Sequence, residues 1–315
     1  MNLLDAMRYL AALDEHRHFG RAASSCHITQ PALSNALRAL EADLGIAIVR
    51  RGRSYEGLTS EGERVLETAH RMLREHEALR QDLHSGADAP RGMLSIGAVP
   101  TAIPIASRFA SRLQARYAGI VPVVRTLSSH EIETGIDNLS LDLGLGYIDR
   151  MSRRAGRLDA VPQYTEQYFV LRRAADAQNG PPLHLGPGMT WREAAELPLC
   201  LLTPEMHNRT IVDEAFHAAG MKVPPAIETN AIVTVALSVL DGGVCAVIPG
   251  SLMALVRGYR GLEALPLREP DVRTPIGLMY AASARPSRTL AAALRLARDP
   301  AWLRYAAEQG GSVDE

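Results

Sequence analysis

The sequence predicts an N-terminal winged helix-turn-helix, mainly α-helical, followed by a long linker helix and then an α/β domain. Three observations lead to this prediction. Two short helical patterns precede a capped third helix, and a short ribbon rich in arginine follows it. One unbroken helical pattern runs from Ser60 to His84. Beyond Arg91, apolar strand-like runs alternate with amphipathic helices, as is typical of α/β folds.

Composition limits the classes of function. A chain of 315 residues with 47% hydrophobic residues is long enough for two or three domains. Its net charge of −1 provides no global field that would attract nucleic acid or a membrane. Lys222 is the only lysine, so nearly all the positive charge is guanidinium, which can bind a phosphate with two hydrogen bonds. A short basic segment could therefore still bind DNA.

The chain carries no sign of export or of membrane insertion. Its N-terminus lacks the basic start and apolar core of a signal peptide, and no run approaches the roughly 20 apolar residues that cross a bilayer. The three cysteines, Cys26, Cys200 and Cys245, are far apart in sequence and form no CxxC pair. We therefore expect a cytoplasmic protein with no membrane partner, no disulfide scaffold, no metal site and no cofactor.

The first two helices should pack closely on the third. In the first helix, one apolar face is formed by Leu3, Met7, Leu10 and Leu13. An interruption at His18, Phe19 and Gly20 precedes a second short helix, "RAASSCHI", whose Ala22 and Ala23 permit a close neighbour.

The third helix has clear start and stop signals. Thr29 is a good N-cap, Pro31 suits the first turn, and Gly45 ends the helix. Its buried stripe is Leu33, Leu37, Leu40 and Leu44. Two short helices and a tight turn before a capped third helix predict a helix-turn-helix.

Polar residues at the start of this helix face away from the leucine stripe. Gln and Asn can pair with adenine and Arg with guanine, whereas capping hydroxyls and free N–H groups bind phosphate. The alternative is a solvated face with no partner. The candidate DNA contacts here are Arg21, Thr29, Gln30, Pro31, Ser34, Asn35 and Arg38.

A predicted wing follows in "IAIVRRGRSYEGLT". Arg50, Arg51 and Arg53 surround Gly52, and a turn is expected at Glu56-Gly57. Guanidinium groups on such a ribbon suit phosphate or minor-groove contacts. The alternative is a solvated loop with excess charge.

The long helix is predicted to pair with a second copy of the chain. Ser60 and Glu63 have the spacing of a capping box. Apolar residues spaced by three and four indicate a coiled-coil seam, although packing against the same chain is the alternative. A dimer would recognise a two-fold symmetric DNA site. The seam residues are Val65, Leu66, Ala69, Met72, Leu73, Leu79 and Leu83.

These residues together resemble the LysR-type transcriptional regulators. The matching positions are Ala22-Ala23, residues 29–34, Leu40-Glu41, Leu44-Gly45, Arg51, Leu58-Thr59 and Gly62. The sequence departs from the family pattern at His18, where Ser is usual, and at Val49, where an aromatic residue is usual. The resemblance spans essentially the whole chain and implies a bacterial regulator that binds double-stranded promoter DNA as a dimer or tetramer and contacts RNA polymerase.

The resemblance also implies the architecture of the second half. Strands are expected at "GMLSIGAV", "IVPVVRTL" and "LDLGLGYI", with helices between them, so the sheet should be parallel. The family arrangement is two Rossmann-like subdomains, similar to periplasmic binding proteins. The implied domains are a DNA-binding domain at 1–59, a linker and dimerisation helix with hinge at 60–90, and an effector domain at 91–315. In that domain subdomain I covers about 91–160 and 269–315, and subdomain II about 161–268.

The effector is expected at the carboxyl ends of the strands, between the subdomains. Helix N-termini there favour a small anion. The lining is hydroxyl and amide with few aromatics, which favours a small polar anion over an aromatic acid. Each Ser or Thr could equally be a plain helix cap. The candidates are Pro100, Thr101, Ser128, Ser129, His130, Thr203, His207, Asn208 and Asn230.

Two other classes of function were considered. An enzyme is not expected, because the sequence lacks GxSxG, Walker A, HExxH and a strand-to-helix GxGxxG motif. A redox-sensing regulator of the same family would use Cys200 and Cys245, but their wide sequence separation and apolar flanks argue against it.

Overall fold

The computed structural model describes residues 2–52, 55–84, 90–149, 157–174, 182–241, 243–282 and 286–310. The chain divides into two compact units, mainly residues 1–88 and mainly residues 89–315. Of the predicted hinge "SGADAP", residues 85–89 lie outside the described residues, as does Arg53 of the predicted wing.

The first unit is a three-helix domain with a two-stranded ribbon and a long helix. Buried alanine and leucine side chains of the helices form its core. Its elements are α1 (Leu3–His16), α2 (Phe19–Ser25), α3 (Gln30–Leu44), β1 (Val49–Arg51), β2 (Tyr55–Leu58) and α4 (Ser60–His84).

Helix α2 begins earlier than predicted. Phe19 and Gly20 belong to the helix, because His18 is its N-cap: Nδ1 accepts hydrogen bonds from the amides of Gly20 and Arg21, at 3.0 and 3.3 Å. Here an imidazole nitrogen accepts the capping hydrogen bonds that an oxygen of Ser, Thr, Asp or Asn usually accepts. The helix also ends at Ser25, before the end of the predicted segment.

Two leucines of the predicted apolar faces lie at the edge of the core. Leu3 and Leu44 are 39% and 44% exposed, whereas the other leucines of both faces are buried. Each stands in a terminal turn of its helix, beyond the neighbouring helices. The caps of α3 are as predicted, with Thr29 at its start and Gly45 in the left-handed conformation at its end.

The start of α4 differs from the predicted capping box. Thr59, not Ser60, caps the helix, since its Oγ1 accepts from the Gly62 amide at 2.9 Å. The same hydroxyl donates to the Ala47 carbonyl at 2.6 Å, so it also holds the segment before β1. A Cβ at Gly62 would lie 2.1 Å from the Ile48 carbonyl oxygen, so only glycine allows this approach.

The predicted wing is an antiparallel ribbon, but its turn lies elsewhere. Glu56 and Gly57 are in β2, where Gly57 has a φ of 102°, and the chain bends at Gly52. Val49 pairs with Leu58, and Arg51 with Tyr55. The Tyr55 ring contacts the ring of Phe19 edge-on at a centroid distance of 6.1 Å, which packs the ribbon against α2.

The predicted seam of α4 divides into two parts. Leu66 and Ala69 are buried, and Val65, Met72 and Leu73 pack against the same core, beside α1. Leu79 and Leu83 are 57% and 72% exposed. The first half of the helix is therefore part of its own chain's core, and the second half presents apolar side chains to solvent.

The second unit contains two sheets with helices packed on them. The first sheet has the strand order β4-β3-β5-β14-β6. Its strands are β3 (Gly92–Ala98), β4 (Ile120–Thr126), β5 (Leu143–Tyr147), β6 (Leu158–Glu166) and β14 (Thr274–Ala281); its helices are α5 (Ile103–Arg116), α6 (Ser129–Asp137), α11 (Arg288–Ala297) and α12 (Pro300–Gln309).

The second sheet has the strand order β11-β10-β12-β7-β13-β8, with β9 also paired to β13. Its strands are β7 (Tyr168–Arg173), β8 (His184–Leu185), β9 (Met189–Thr190), β10 (Leu199–Leu202), β11 (Ile227–Thr229), β12 (Cys245–Pro249) and β13 (Leu262–Arg268); its helices are α7 (Trp191–Ala194), α8 (His207–Ala218), α9 (Ile232–Leu237) and α10 (Met253–Val256).

The three strands first predicted to be parallel are parallel, since β3 pairs in that direction with both β4 and β5, but both sheets also contain antiparallel strands. Strand β14 runs antiparallel to β5 and β6, and β7 runs antiparallel to β12 and β13. The reason is that the chain crosses between the sheets twice, at Gln167 and after Arg268. Because β6 continues to Glu166, the first crossover lies beyond the boundary expected near residue 160. Across the parts that the structure describes, no helix is long and apolar enough to span a membrane.

Candidate functional site

The polar face of α3 is open to solvent at the predicted positions. Gln30, Asn35 and Arg38 are exposed and Ser34 is half-buried, while the leucines behind them are in the core. Arg38 Nη1 donates to Asn35 Oδ1 at 3.2 Å, which orients both side chains along one edge of the helix. This leaves further guanidinium N–H groups of Arg38 available for a base or phosphate.

The neighbours of this face are exposed as well. Pro31 stands in the first turn, after the Thr29 cap, whose Oγ1 accepts from the Ala32 amide at 3.4 Å. Arg21 Nη2 donates to the His16 carbonyl at 2.8 Å. The helix start therefore presents its free amides beside a fixed guanidinium, as phosphate binding needs.

The wing is held to α3 by Glu41. Its Oε1 accepts from the amides of Ile48 and Val49, at 2.9 and 3.1 Å. Arg50 is exposed and Arg51 is in β1. The ribbon thus carries arginine beside α3, with its position fixed by a carboxylate that the sequence indicated only as a family match.

A small cavity, with room for about 10 Å³ of water-sized volume, lies in the second unit, where the two sheets meet. Six of the nine predicted effector residues line it, together with Val99, Tyr147 and Met206. Those six are Pro100, Thr101, Ser128, Ser129, His207 and Asn208.

The other three predicted residues do not line the cavity. His130 and Asn230 are exposed. Thr203 Oγ1 donates to Glu205 Oε1 at 2.7 Å, so this hydroxyl serves the turn before α8. Strand ends brought six of the nine residues to one cavity, but side chains one residue apart at such an end point in different directions.

Two helices begin at the cavity. Ser128 forms the predicted capping box of α6: its amide and hydroxyl both donate to Glu131 Oε2, at 2.8 and 2.7 Å. His207 and Asn208 are the first residues of α8, whose N-cap Met206 provides no side-chain acceptor. Two positive helix ends therefore converge on one small space.

Ser129 carries a buried hydroxyl at the edge of the cavity. The residue is 7% exposed, and its Oγ has no hydrogen-bond partner within the described part of the chain. A buried hydroxyl without a partner costs roughly 1–3 kcal/mol. A ligand oxygen in the cavity would satisfy it.

Tyr147 was missed by the sequence analysis. Its hydroxyl lies 3.1 Å from Thr101 Oγ1, and its ring contacts the His207 ring edge-on at 4.9 Å. It is the last residue of β5, so the strand-end rule applied to "LDLGLGYI" could have found it. Burial raises the pKa of this phenol well above its usual value, so it stays a neutral donor.

A buried polar cluster behind the cavity was also missed. Glu166 is fully buried, and desolvation raises its pKa to about 8, although nearby hydroxyls, first that of Ser251, partly favour the charged form. Asn208 Nδ2 lies 3.5 Å from the Tyr168 hydroxyl, which is in turn 3.5 Å from Thr274 Oγ1. No motif signals this cluster, because its members come from separate strands and turns.

Cys200 and Cys245 are close in space despite their distance in sequence. They lie on the adjacent strands β10 and β12, where Leu199 pairs with Cys245 and Cys200 with Ala246. Successive side chains of a strand point to opposite faces, so the two thiols are on opposite faces of the sheet. Burial raises the pKa of both thiols.

The fold and the two sites define a class: a DNA-binding regulator with a winged helix-turn-helix and a two-subdomain ligand domain. Family models agree with this over most of the chain. Residues 4–63 match the model for the bacterial regulatory helix-turn-helix protein of the lysR family. Residues 87–301 match the model for the LysR substrate binding domain. The chain therefore belongs to the LysR family of transcriptional regulators.

Individual relatives resemble both halves. The chain is 26% identical to the DNA-binding transcriptional dual regulator OxyR of Escherichia coli over 289 residues, which are 89% of each chain. It is 40% identical over 125 residues to the SDS degradation transcriptional activation protein of a Pseudomonas species, 40% of each chain. Among solved structures, full-length OxyR from Pseudomonas aeruginosa has a TM-score of 0.69 at 22% identity, covering 94% of this chain and 97% of that one. CbnR in complex with its target DNA has a TM-score of 0.65 at 18% identity, covering 96% and 99%.

Proposed function

We propose that this regulator binds promoter DNA through the exposed face of α3 and the wing, and responds to a small anion in the cavity between its two sheets. The observation that carries the effector part is the convergence of two helix N-termini and the buried, unpartnered Ser129 hydroxyl on one cavity. No Asp, Glu, Lys or Arg is among the residues that line it. Helix ends and hydroxyls are then the groups that meet the ligand.

The proposed effector is a small carboxylate or inorganic anion. The small size of the cavity favours a ligand of few atoms, and its lining offers hydroxyls and two helix N-termini. Tyr147 adds a neutral phenol, and Asn208 adds an amide. Binding between the sheets would change how the two subdomains close, and the ligand acts only if it favours one closure state.

We propose that the protein works in the cytoplasm as a homo-oligomer, a dimer or a tetramer, and that it contacts RNA polymerase. The exposed Leu79 and Leu83 of α4 support pairing with a second copy, because a terminal half-helix with solvent-facing leucines gains stability by burying them. The residues of the first half, Leu66 and Ala69, instead hold α4 to α1.

The test of DNA binding is a gel shift with the DNA upstream of the protein's own gene, at stated salt. Gln30→Ala and Arg51→Ala should each weaken the complex, and Arg8→Ala, an exposed arginine of α1, should not. If both of the first two variants bind like the wild type, the proposed DNA interface is wrong.

The test of the effector is a thermal-shift screen of small carboxylates and inorganic anions. A ligand at a hundred times its Kd stabilises the folded state by about 2.7 kcal/mol. A selective ligand should lose this effect in Ser129→Ala. Stabilisation by bulky aromatic acids alone would contradict the proposed class.

A peroxide response is the alternative, because several relatives are named hydrogen peroxide-inducible genes activators. It would require an accessible, acidic thiol or a pair of thiols able to form a disulfide. Cys200 is buried with a raised pKa, and Cys245 faces the other side of the sheet. The geometry therefore favours ligand binding over a Cys200–Cys245 switch.

A further inference from the structure

We propose that Glu166, as a neutral carboxylic acid, is a positioning residue that joins the two subdomains behind the effector cavity, so that an anion in the cavity and loss of the Glu166 proton oppose each other. The link to an anion rests on the proposed effector function.

The position of Glu166 is the first argument. It is the last residue of β6 in the first sheet, and Gln167 then crosses to β7 in the second. The Gln167 carbonyl accepts from the Gly250 amide at 3.0 Å, in the short turn Gly250–Leu252 that follows β12. Opposite stands the turn Pro100–Ala102, which belongs to the first sheet and borders the cavity. Glu166 therefore lies where the two subdomains meet.

We call the contact of Glu166, Ser251 and Thr101 between the two subdomains the joint. Its hydrogen bonds indicate that Glu166 is a protonated acid. The Ser251 hydroxyl lies 2.9 Å from the Thr101 carbonyl oxygen and 3.3 Å from Glu166 Oε1. A serine hydroxyl has one proton, and a carbonyl can only accept. If Ser251 donates to the nearer Thr101 carbonyl, the contact with Glu166 becomes a hydrogen bond only when the carboxyl supplies a proton.

Burial also favours the protonated form of Glu166. Glu166 is 0% exposed, and its Oε2 has no hydrogen-bond partner among the residues that the structure describes. An ionised carboxylate in such a place would be very costly. The titratable groups around it are the phenols of Tyr147, Tyr164 and Tyr168, with His207 beyond Tyr147. Raised phenol pKa values keep these tyrosines neutral, and desolvation raises the pKa of Glu166 to about 8.

Coupling to the cavity follows from its neighbours. Thr101 and Tyr147 line the cavity. Their hydroxyls are also among those that partly offset the rise in the pKa of Glu166. A negative charge on Glu166 would repel an anion through only one layer of side chains in a medium of low dielectric constant. By reciprocity, a bound anion keeps Glu166 protonated to a higher pH.

Unfolding at several pH values tests the protonation. Both tryptophans, Trp191 and Trp302, are buried in the second unit, so their fluorescence follows that unit in the full chain. The folded state holds the Glu166 proton up to about pH 8, whereas the unfolded chain releases it near pH 4.3. Stability from this group is therefore full below pH 4.3 and is lost as the pH rises through 8.

The expected result is a changing difference between wild type and Glu166→Gln. The folding constant of the wild type should fall relative to that of the variant by roughly tenfold for each pH unit between 5.5 and 7.5. Glu308→Gln, an exposed acid on α12, should show no such change. A relative change below threefold over this range would overturn the proposal.

Hydrogen exchange at the turn Gly250–Leu252 tests the joint without any ligand. The Gln amide can donate to Ser251 as a protonated acid does, so Glu166→Gln should keep its protection at pH 9, after correction for intrinsic rates. The wild type should lose at least tenfold in protection between pH 6.5 and 9, and Glu166→Ala should be unprotected at both. Equal pH dependence in wild type and Glu166→Gln would overturn the role in the joint.

Acetate, chosen because it is fully ionised from pH 6.5 upward, tests the coupling. By calorimetry at constant ionic strength, its affinity for the wild type should fall at least tenfold between pH 6.5 and 9, and stay constant in Glu166→Gln. The same fall in both proteins would overturn the coupling. Absence of acetate binding to either protein would contradict a small-carboxylate effector, and unfolding and exchange would then decide on the joint alone.

Discussion

The carboxylate of Glu41 accepts a hydrogen bond from the main-chain amide of Ile48 at 2.9 Å and another from that of Val49 at 3.1 Å. This single side chain closes the turn that follows α3 and fixes where the wing begins. Amides that end a helix turn and start a ribbon usually bond to another strand or to water. Here a side-chain carboxylate of α3 accepts both hydrogen bonds.

Replacing Glu41 with Ala should destabilise the first unit by about 1.5–3 kcal/mol, because two amides lose a charged acceptor. Circular dichroism during urea unfolding would detect this, since the tryptophans lie in the other unit. Asp43→Ala, an exposed acid on the same helix, should change stability by less than about 0.5 kcal/mol. Equal effects of the two substitutions would show that the paired hydrogen bonds contribute little.

Gln30 and Arg50 should affect DNA binding in different ways. Gln30→Ala should cost about 1–3 kcal/mol at the preferred site and relax the preference for one base pair, as expected for a base contact. Arg50→Ala should weaken binding to all sequences and lower the slope of log K against log salt by about 1. Fluorescence anisotropy with specific and scrambled DNA over a range of salt concentrations separates the two. Arg50→Ala with an unchanged slope would remove the wing from the phosphate contacts.

Ser129 and Ser251 are a matched pair of buried serines with opposite expected effects. Ser251→Ala removes a hydroxyl that is hydrogen-bonded to the Thr101 carbonyl, so it should destabilise the second unit by about 1–3 kcal/mol. Ser129→Ala removes a hydroxyl that has no described partner, so stability without ligand should stay the same or rise by up to about 1 kcal/mol. Tryptophan fluorescence during unfolding measures both. A loss above about 1 kcal/mol in Ser129→Ala would mean that its hydroxyl is already satisfied in solution.

Cys200 and Cys245 should not form a disulfide with each other under peroxide. The two side chains project from opposite faces of neighbouring strands, and a disulfide needs Cβ atoms about 3.5–4.5 Å apart. Non-reducing mass spectrometry of the treated protein should find no peptide that joins them. DNA affinity of the Cys200→Ser, Cys245→Ser double variant should respond to peroxide as the wild type does. A cross-linked peptide would refute the present assignment of faces.

Local signals in the sequence predicted the first unit well. Thr29, Pro31 and Gly45 act through short-range geometry, so the bounds of α3 follow from neighbouring residues alone. His18 did not indicate a helix start because imidazole is not an ordinary cap, so the sequence pattern predicted a break where α2 begins. Thr59 was overlooked because its contacts include a carbonyl that precedes it by twelve positions.

The residues of the candidate site in the second unit could be predicted only in part. Strand ends predicted where Thr101, Ser128 and Asn208 meet, since parallel strands end at one edge. Glu166 and Ser251 could not be predicted, because they are 85 positions apart and meet only after the chain has crossed to the second sheet and formed β12. The direction of β14 was missed for the same reason: its partners β5 and β6 come from much earlier in the sequence.

The contact of Thr59 and Gly62 with the chain before β1 fixes the first turn of α4 to the rest of the first unit. Because the helix begins against the Ile48 carbonyl and then packs on α1, its first turns cannot pivot freely on the DNA-binding domain. Its 25 residues span about 37 Å. A tilt of about 10° would move one end by about 6 Å relative to the other, close to the rise of two base pairs at 3.4 Å each. A small rotation of α4 would therefore turn the DNA-binding domain that is packed against its first turns.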